Sequence, residues 1–169
     1  PSQTIALDEK ARAQQTGTVT ILINKPIGVV SGQAEKGYRN VASLITRASR
    51  FAGDHSPLRF SPAQLRGLAP AGRLDIDSQG LLVLTQDGRV AKQLIGEHSD
   101  IEKEFLVRVE GGLSEQGLKL LNHGLSLDGE PLRPARLAWL NEDQFRFVLK
   151  QGKKRQIRRM CELVNLKAI

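Results

Sequence analysis

Gly72-Arg73-Leu74-Asp75-Ile76-Asp77-Ser78-Gln79-Gly80, followed by Leu81-Leu82-Val83-Leu84-Thr85 and Gln86-Asp87-Gly88, decides how this chain is read. Two carboxylates stand in a loop bounded by glycines, directly before a short, wholly apolar strand. A strand fixes geometry better than a free loop, so an acid placed just ahead of one can be held rigidly at the mouth of a core. Outward from there the elements alternate in type. Thr18-Val19-Thr20-Ile21-Leu22-Ile23 is rich in β-branched residues and ends in Asn24-Lys25-Pro26, which predicts a strand running into a turn. A short helix is expected from Val41 to Ala48 and a helical turn at Ala63 to Leu68. Residues 49–71, punctuated by Gly53, Pro57, Pro62 and Pro70, read as a long aperiodic excursion. Arg89 to Ile95 predicts a helix and Phe105 to Val109 a strand. Ser114 can cap a helix carrying Leu118 and Leu121 inward, and Asp128-Gly129 marks a tight turn. Ala135 to Leu140 and Gln144 to Leu149 form an expected hairpin, and Gln156 to Val164 a final helix. The pattern is that of an α+β fold with a mixed, largely antiparallel central sheet flanked by helices.

Composition sets the limits. At 169 residues, with 40% hydrophobic and 25% charged positions, the sequence is that of an ordinary globular domain, which buries roughly 70% of the surface its unfolded chain exposes. Its net charge of +7 points to a polyanionic partner, most simply nucleic acid. Cys161 is the single cysteine, which excludes an internal disulfide and fits a reducing cytoplasm. No apolar run approaches the ~18 residues of a membrane span. Residues 1–17 read as a polar segment or linker and 18–169 as one domain. Because the chain opens on Pro1, it is expected to be a piece of something longer. A monomer is the default.

A second constellation precedes the last helix: Lys150-Gln151-Gly152-Lys153-Lys154-Arg155-Gln156-Ile157-Arg158-Arg159-Met160. Cations are disfavoured at a helix N-terminus, by about 0.3–1 kcal/mol each. A sequence that crowds them there is expected to meet phosphate or a fixed carboxylate. A solvated basic face is the plain alternative, made less apt by Gly152 and the interleaved Gln156 and Ile157. The spacing of Arg155, Arg158 and Arg159 (i, i+3, i+4) supplies a single basic edge if all three face one way.

Together these blocks resemble RNA pseudouridine synthases of the RsuA/RluB/RluE/RluF branch. Gly72-Arg73-Leu74-Asp75 with Asp77-Ser78-Gln79-Gly80-Leu81-Leu82 and Thr85-Gln86-Asp87-Gly88 looks like the family signature. Asn24-Lys25-Pro26-Ile27-Gly28-Val29-Val30-Ser31, Glu102-Lys103-Glu104-Phe105-Leu106-Val107 and Arg155-Gln156-Ile157-Arg158-Arg159-Met160 are similar to the other family blocks, in the same order. The resemblance implies isomerisation of a particular uridine in ribosomal RNA, with the large subunit favoured and tRNA a further possible substrate.

Such a reaction detaches uracil from ribose and rejoins it through carbon, so it requires no redox cofactor, nucleotide or metal. It does require an ionised carboxylate beside the sugar, as nucleophile at the anomeric carbon or as base on the adjacent ribose hydrogen. By the resemblance that residue is Asp75, with Arg158 as its ion-pair partner keeping it charged. The target must leave the duplex stack, which costs a few kcal/mol, and Arg73 resembles the family residue that fills the vacated place. Lys25, Lys103, Lys153, Lys154, Arg155 and Arg159, with Gln156 among them, are expected against the RNA.

There are departures. The family block usually reads Lys-x-Tyr, whereas this chain has Phe105, which keeps base stacking but lacks the hydroxyl. The small RNA-binding module expected ahead of the catalytic part has no counterpart in residues 1–17, and the family's further strand and tail are expected beyond Ile169. The 49–71 excursion is longer than the family connection and is assigned no role. Other chemistries fit less well. Asp75-x-Asp77-x-Gln79-Gly80 begins like a calcium loop but has Gln86 where a bidentate Glu is needed. Asp75 and Asp77 alternate along extended chain, so as a hydrolase pair they would not flank one bond. His55, His98 and His123 show no ligand spacing. The competing class is a non-catalytic rRNA-binding protein on the same fold, which has no use for Asp75.

Overall fold

The computed structural model describes residues 17–33 and 37–169, so all but the last residue of the 1–17 segment lies outside the described residues. The chain gathers into two compact units, one reaching Leu94 and one from Ile95 to Ile169. The structure has the α+β character expected from the sequence, with antiparallel pairing in each unit.

In the first unit, β1 (Thr20–Lys25) pairs antiparallel with β5 (Gly80–Thr85), from Thr20 opposite Thr85 to Lys25 opposite Gly80. Two-residue strands complete it: β2 (Val29–Val30) parallel to β3 (Arg39–Asn40), and β4 (Ala69–Pro70) on the far side of β5. Pro70 is admissible because β4 ends the sheet, where no further ladder needs its missing N–H. Val29, Val41, Leu82 and Leu84 form the core, with Ile23, Leu44, Ile45, Leu68 and Leu74 packed on it. Alternate residues of β5 thus face inward, and the strand brings its preceding loop to the edge of that core. The expected helix from Val41 shrinks to a 3-10 turn, Val41–Leu44, capped by Asn40. Thr46 and Ser49 bond each other's backbone N–H through their hydroxyls, a local alternative that competes with helix. The second expected turn is Pro62–Leu65, where Ser61 and Gln64 form a reciprocal capping box. Helix α1 (Gly88–Ile95) follows β5.

The second unit is a four-stranded sheet in the order β11 (Lys167–Ala168), β6 (Lys103–Glu110), β10 (Gln144–Leu149), β9 (Arg136–Asn141). Strict alternation on β6 sends Phe105, Val107 and Val109 to the core and leaves Glu104, Leu106, Arg108 and Glu110 exposed. Phe145 and Phe147 are fully buried; side chains of this size are worth about 3–5 kcal/mol each against truncation to Ala. The exposed charges pair across the sheet and its turns: Glu104 with Arg146 and Glu110 with Lys167 between strands, Glu102, just before β6, with Arg136, and Arg108 with Asp143 of the β9–β10 turn. Helix α2 (Glu115–Asn122) is capped by Ser114, whose Oγ accepts from Gly117 N–H at 3.0 Å. The Asp128-Gly129 turn joins β7 (Ser126–Leu127) to β8 (Glu130–Pro131). Helix α3 (Gln156–Glu162) ends two residues earlier than expected. Asn165 takes a left-handed conformation at φ 60° and Leu166 N–H returns to Cys161 O at 2.9 Å, a common helix stop. That reversal delivers β11, a strand too short to be seen in the sequence.

Candidate active site

In the first unit, Asp75 sits half-buried in the turn before β5. Three contacts fix its backbone. Ser31 Oγ donates to Leu74 O at 2.7 Å and accepts Leu74 N–H at 3.0 Å. Gly28 N–H donates to Ile76 O at 2.8 Å, and Ser78 N–H to Asp75 O at 3.1 Å. Leu74 is therefore tied to the residue that follows β2, and Ile76 to the β1–β2 turn. Gly28 reaches Ile76 from φ 80°, a conformation that costs glycine little.

Lys25 was expected against phosphate, and its burial corrects that. The side chain is fully buried, and Nζ donates to Pro26 O at 2.9 Å and Val29 O at 2.8 Å. Burial lowers its pKa, opposed by the nearby charges of Asp77 and Asp75. The lysine thus stiffens the turn that holds the acid loop and adds positive potential beneath two carboxylates. Asp77 and Arg73 are exposed. A shallow hollow lined by Gly67, Pro70, Thr85 and Ala91 lies at the Thr85 end of β5, whereas Asp75 precedes the Gly80 end.

In the second unit, Phe105 is half-buried against the core and opposite Phe147 across the ladder. Lys103 is partly buried, its pKa lowered by burial and then by Arg133. The basic block is organised from within by Gln156. Its Oε1 accepts Lys153 N–H at 2.9 Å, its own N–H donates to Lys153 O at 3.1 Å, and its side chain is buried. The expectation of Gln156 on the RNA is corrected accordingly: its amide closes the turn that presents Lys154 and Arg155, both exposed. Arg155 adopts φ 51°, ψ 31° at the start of α3, strained for a residue with a Cβ.

The expected single edge of arginines divides. Arg159 grips Asp128 with two nitrogens, at 2.9 and 2.6 Å, and Lys153 pairs with Glu130 on the same hairpin. Arg158 Nη1 donates to Ala168 O at 2.7 Å. The hairpin acids and the β11 backbone thus hold the cations in place. Ser31 stood in a quoted family block without a role; its value lies in a contact 43 residues away, which spacing does not reveal. Among the described residues no three His, Cys, Asp or Glu gather as a metal group, and no helix is long and apolar enough to cross a membrane.

Residues 19–163 match the family described as RNA pseudouridylate synthase. The dual-specificity RNA pseudouridine synthase RluF of Escherichia coli (strain K12) is 32% identical over 144 residues, covering 85% of this chain and 44% of RluF. The ribosomal large subunit pseudouridine synthase E of Xanthomonas axonopodis pv. citri (strain 306) is 31% identical, with 86% and 79% covered. The ribosomal large subunit pseudouridine synthase B of Bacillus subtilis (strain 168) is 29% identical, with 94% and 61% covered. A crystal structure of pseudouridylate synthase shares the fold at a TM-score of 0.72 and 24% identity, covering 90% of this chain and 60% of that one. The chain belongs to the RNA pseudouridylate synthase family. Within it, the relatives place it in the RsuA/RluB/RluE/RluF branch. It spans less than half of the RluF relative's length.

Proposed function

We propose that this chain carries the catalytic part of an enzyme that isomerises uridine to pseudouridine in ribosomal RNA, with the large subunit favoured. Asp75 is the acting carboxylate. It attacks the anomeric carbon or takes the neighbouring ribose hydrogen of a flipped-out uridine, so that the nitrogen–carbon glycosidic bond breaks. The base turns and its carbon 5 bonds to the anomeric carbon, displacing the Asp75 carboxylate on the first route or with Asp75 returning its hydrogen to the ribose on the second; the proton on carbon 5 then leaves to water and the freed ring nitrogen takes one up. Arg158 serves the same chemical step, Phe105 stacks on the target base, and Arg73 fills the place it leaves. Lys103, Lys153, Lys154, Arg155 and Arg159 carry the phosphate contacts, two of them already oriented by Glu130 and Asp128. The protein works as a monomer in the cytoplasm.

The observation that supports this most is the pinned backbone on both sides of Asp75. A binding protein gains nothing from a carboxylate immobilised in a basic chain, whereas catalysis depends on such fixing. The test is tritium release from ribosomal RNA labelled at uracil carbon 5. The intact protein should release it and Asp75→Asn should not. Release that survives the substitution removes the assignment, and no release by the full-length protein on deproteinised RNA favours the non-catalytic reading.

A further inference from the structure

The chain's excess positive charge is concentrated. Of its 25 lysines and arginines and 18 acids, residues 38–74 hold six arginines and one aspartate, leaving nineteen and seventeen for the rest. Arg50 is spent on structure. Its Nε pairs with Asp54 at 2.9 Å, and its remaining nitrogens donate to the carbonyls of Asp54, Ser56 and Leu58. This one guanidinium therefore gathers residues 50–58 about itself. The Thr46–Ser49 turn on one side and the Ser61–Gln64 capping box on the other extend the order. Gln86 secures the far end, donating to Gln64 O at 3.0 Å and Arg66 O at 2.8 Å. The long excursion is thus a built loop.

What it exposes is specific. Arg47, Arg59 and Arg66 are exposed, and none is within ion-pair reach of an acid among the described residues. In the second unit, by contrast, Arg108, Arg133, Arg136 and Arg146, none of them assigned to phosphate, all have such a partner. Phe51 is 78% exposed, while Phe105 and Phe60 are half-buried and Phe145 and Phe147 fully so. Its ring packs close to Gly53, where an added Cβ would come within 2.6 Å of Cε1; only glycine leaves room for the ring in this position. Arginines with no acid in reach among the described residues, on the same ordered loop as an exposed aromatic, suit single-stranded RNA, whose phosphates take the guanidinium groups and whose bases stack on the ring. We propose that residues 47–66 form an additional RNA-contact surface, with Arg47, Arg59 and Arg66 on phosphates and Phe51 as the platform for one unpaired base. The inference rests on RNA being the substrate.

The test measures turnover on deproteinised ribosomal RNA, and binding to it, across a salt series with the whole chain. Replacing Arg47, Arg59 and Arg66 together by Gln should raise KM about tenfold with kcat little changed, and flatten the salt dependence of binding by about two counterions. Phe51→Ala should weaken binding about tenfold and Phe51→Leu should not restore it. Phe51→Trp should restore it and add fluorescence that RNA quenches. Arg108, Arg136 and Arg146 replaced together by Gln remove the same formal charge from paired positions and should leave KM near its starting value. An unchanged KM and salt slope in the first triple variant, equal losses in both triples, or an unquenched Trp would overturn the surface. Those outcomes alongside turnover that depends on Asp75 leave the catalytic reading intact, whereas no turnover by the unsubstituted protein strikes that reading instead.

Discussion

The Ser31 hydroxyl and the Leu74 peptide hold each other in both directions, Oγ donating to the carbonyl and accepting from the N–H. A side chain beside β2 thereby stands in for a missing pair of ladder bonds and sets the backbone just ahead of Asp75. Ser31→Ala should cost about 1–2 kcal/mol of stability. Its larger effect should fall on kcat, about 10- to 100-fold, because small displacements of a reacting group are expensive. Urea unfolding and single-turnover kinetics on rRNA separate the two. A full kcat in a measurably destabilised variant would mean that the clamp is purely structural.

Lys25 makes the opposite prediction to a phosphate contact. Lys25→Met keeps the bulk but strips the Pro26 and Val29 carbonyls of their donor, so it should destabilise the protein by about 2–4 kcal/mol. The salt slope of RNA binding should stay within error of the parent, because a lysine with no exposed surface releases no counterion. A slope reduced by about one unit would restore the phosphate role.

Phe105→Tyr is expected to retain or raise activity. The ring already lies half-buried along the core of the second unit, and a para hydroxyl leaves its stacking face unchanged. Parallel kcat and unfolding measurements decide it: a well-folded, strongly inactive Tyr variant would contradict the stacking assignment.

Burial pushes the Cys161 thiol up to about 11 from an ordinary 9.0. The unfolded chain therefore loses this proton first as pH rises. Between pH 9 and 11 the folded state holds more protons than the unfolded one, so this group's contribution is complete below pH 9 and is lost through that window, by about 2–3 kcal/mol. Unfolding free energies at pH 8, 9, 10 and 11 should fall more steeply for the parent than for Cys161→Ala. The native protein should also resist thiol reagents at pH 8, since the thiolate is the reactive form.

Much of the fold could be read because local pattern and tertiary environment agreed. The β-branched run that became β1, the apolar run that became β5 and the alternation along β6 each declare which face is buried. Ser114 was legible as a cap because capping is a local bond. The make-up of each core was not legible, since it draws on residues far apart in sequence: Val29 and Leu82 in one, Val107 and Met160 in the other. At the site, Asp75 stood out through its position before a strand. Lys25 and Gln156 misled because charge and polarity in a motif suggest a ligand, while here both were recruited to satisfy backbone groups inside the fold. Ser31 was invisible for the converse reason, its partner being supplied by a distant turn.

The cross-strand acids on the outer side of the second sheet have a kinetic consequence. Where each arginine already has its own counter-charge, an approaching polyanion meets little net field and has few counterions to displace. Encounters on that flank should be brief and soon abandoned. On the proposed function, which requires a search of a long, folded RNA for one nucleoside, a surface that declines to hold the RNA serves as much as one that does.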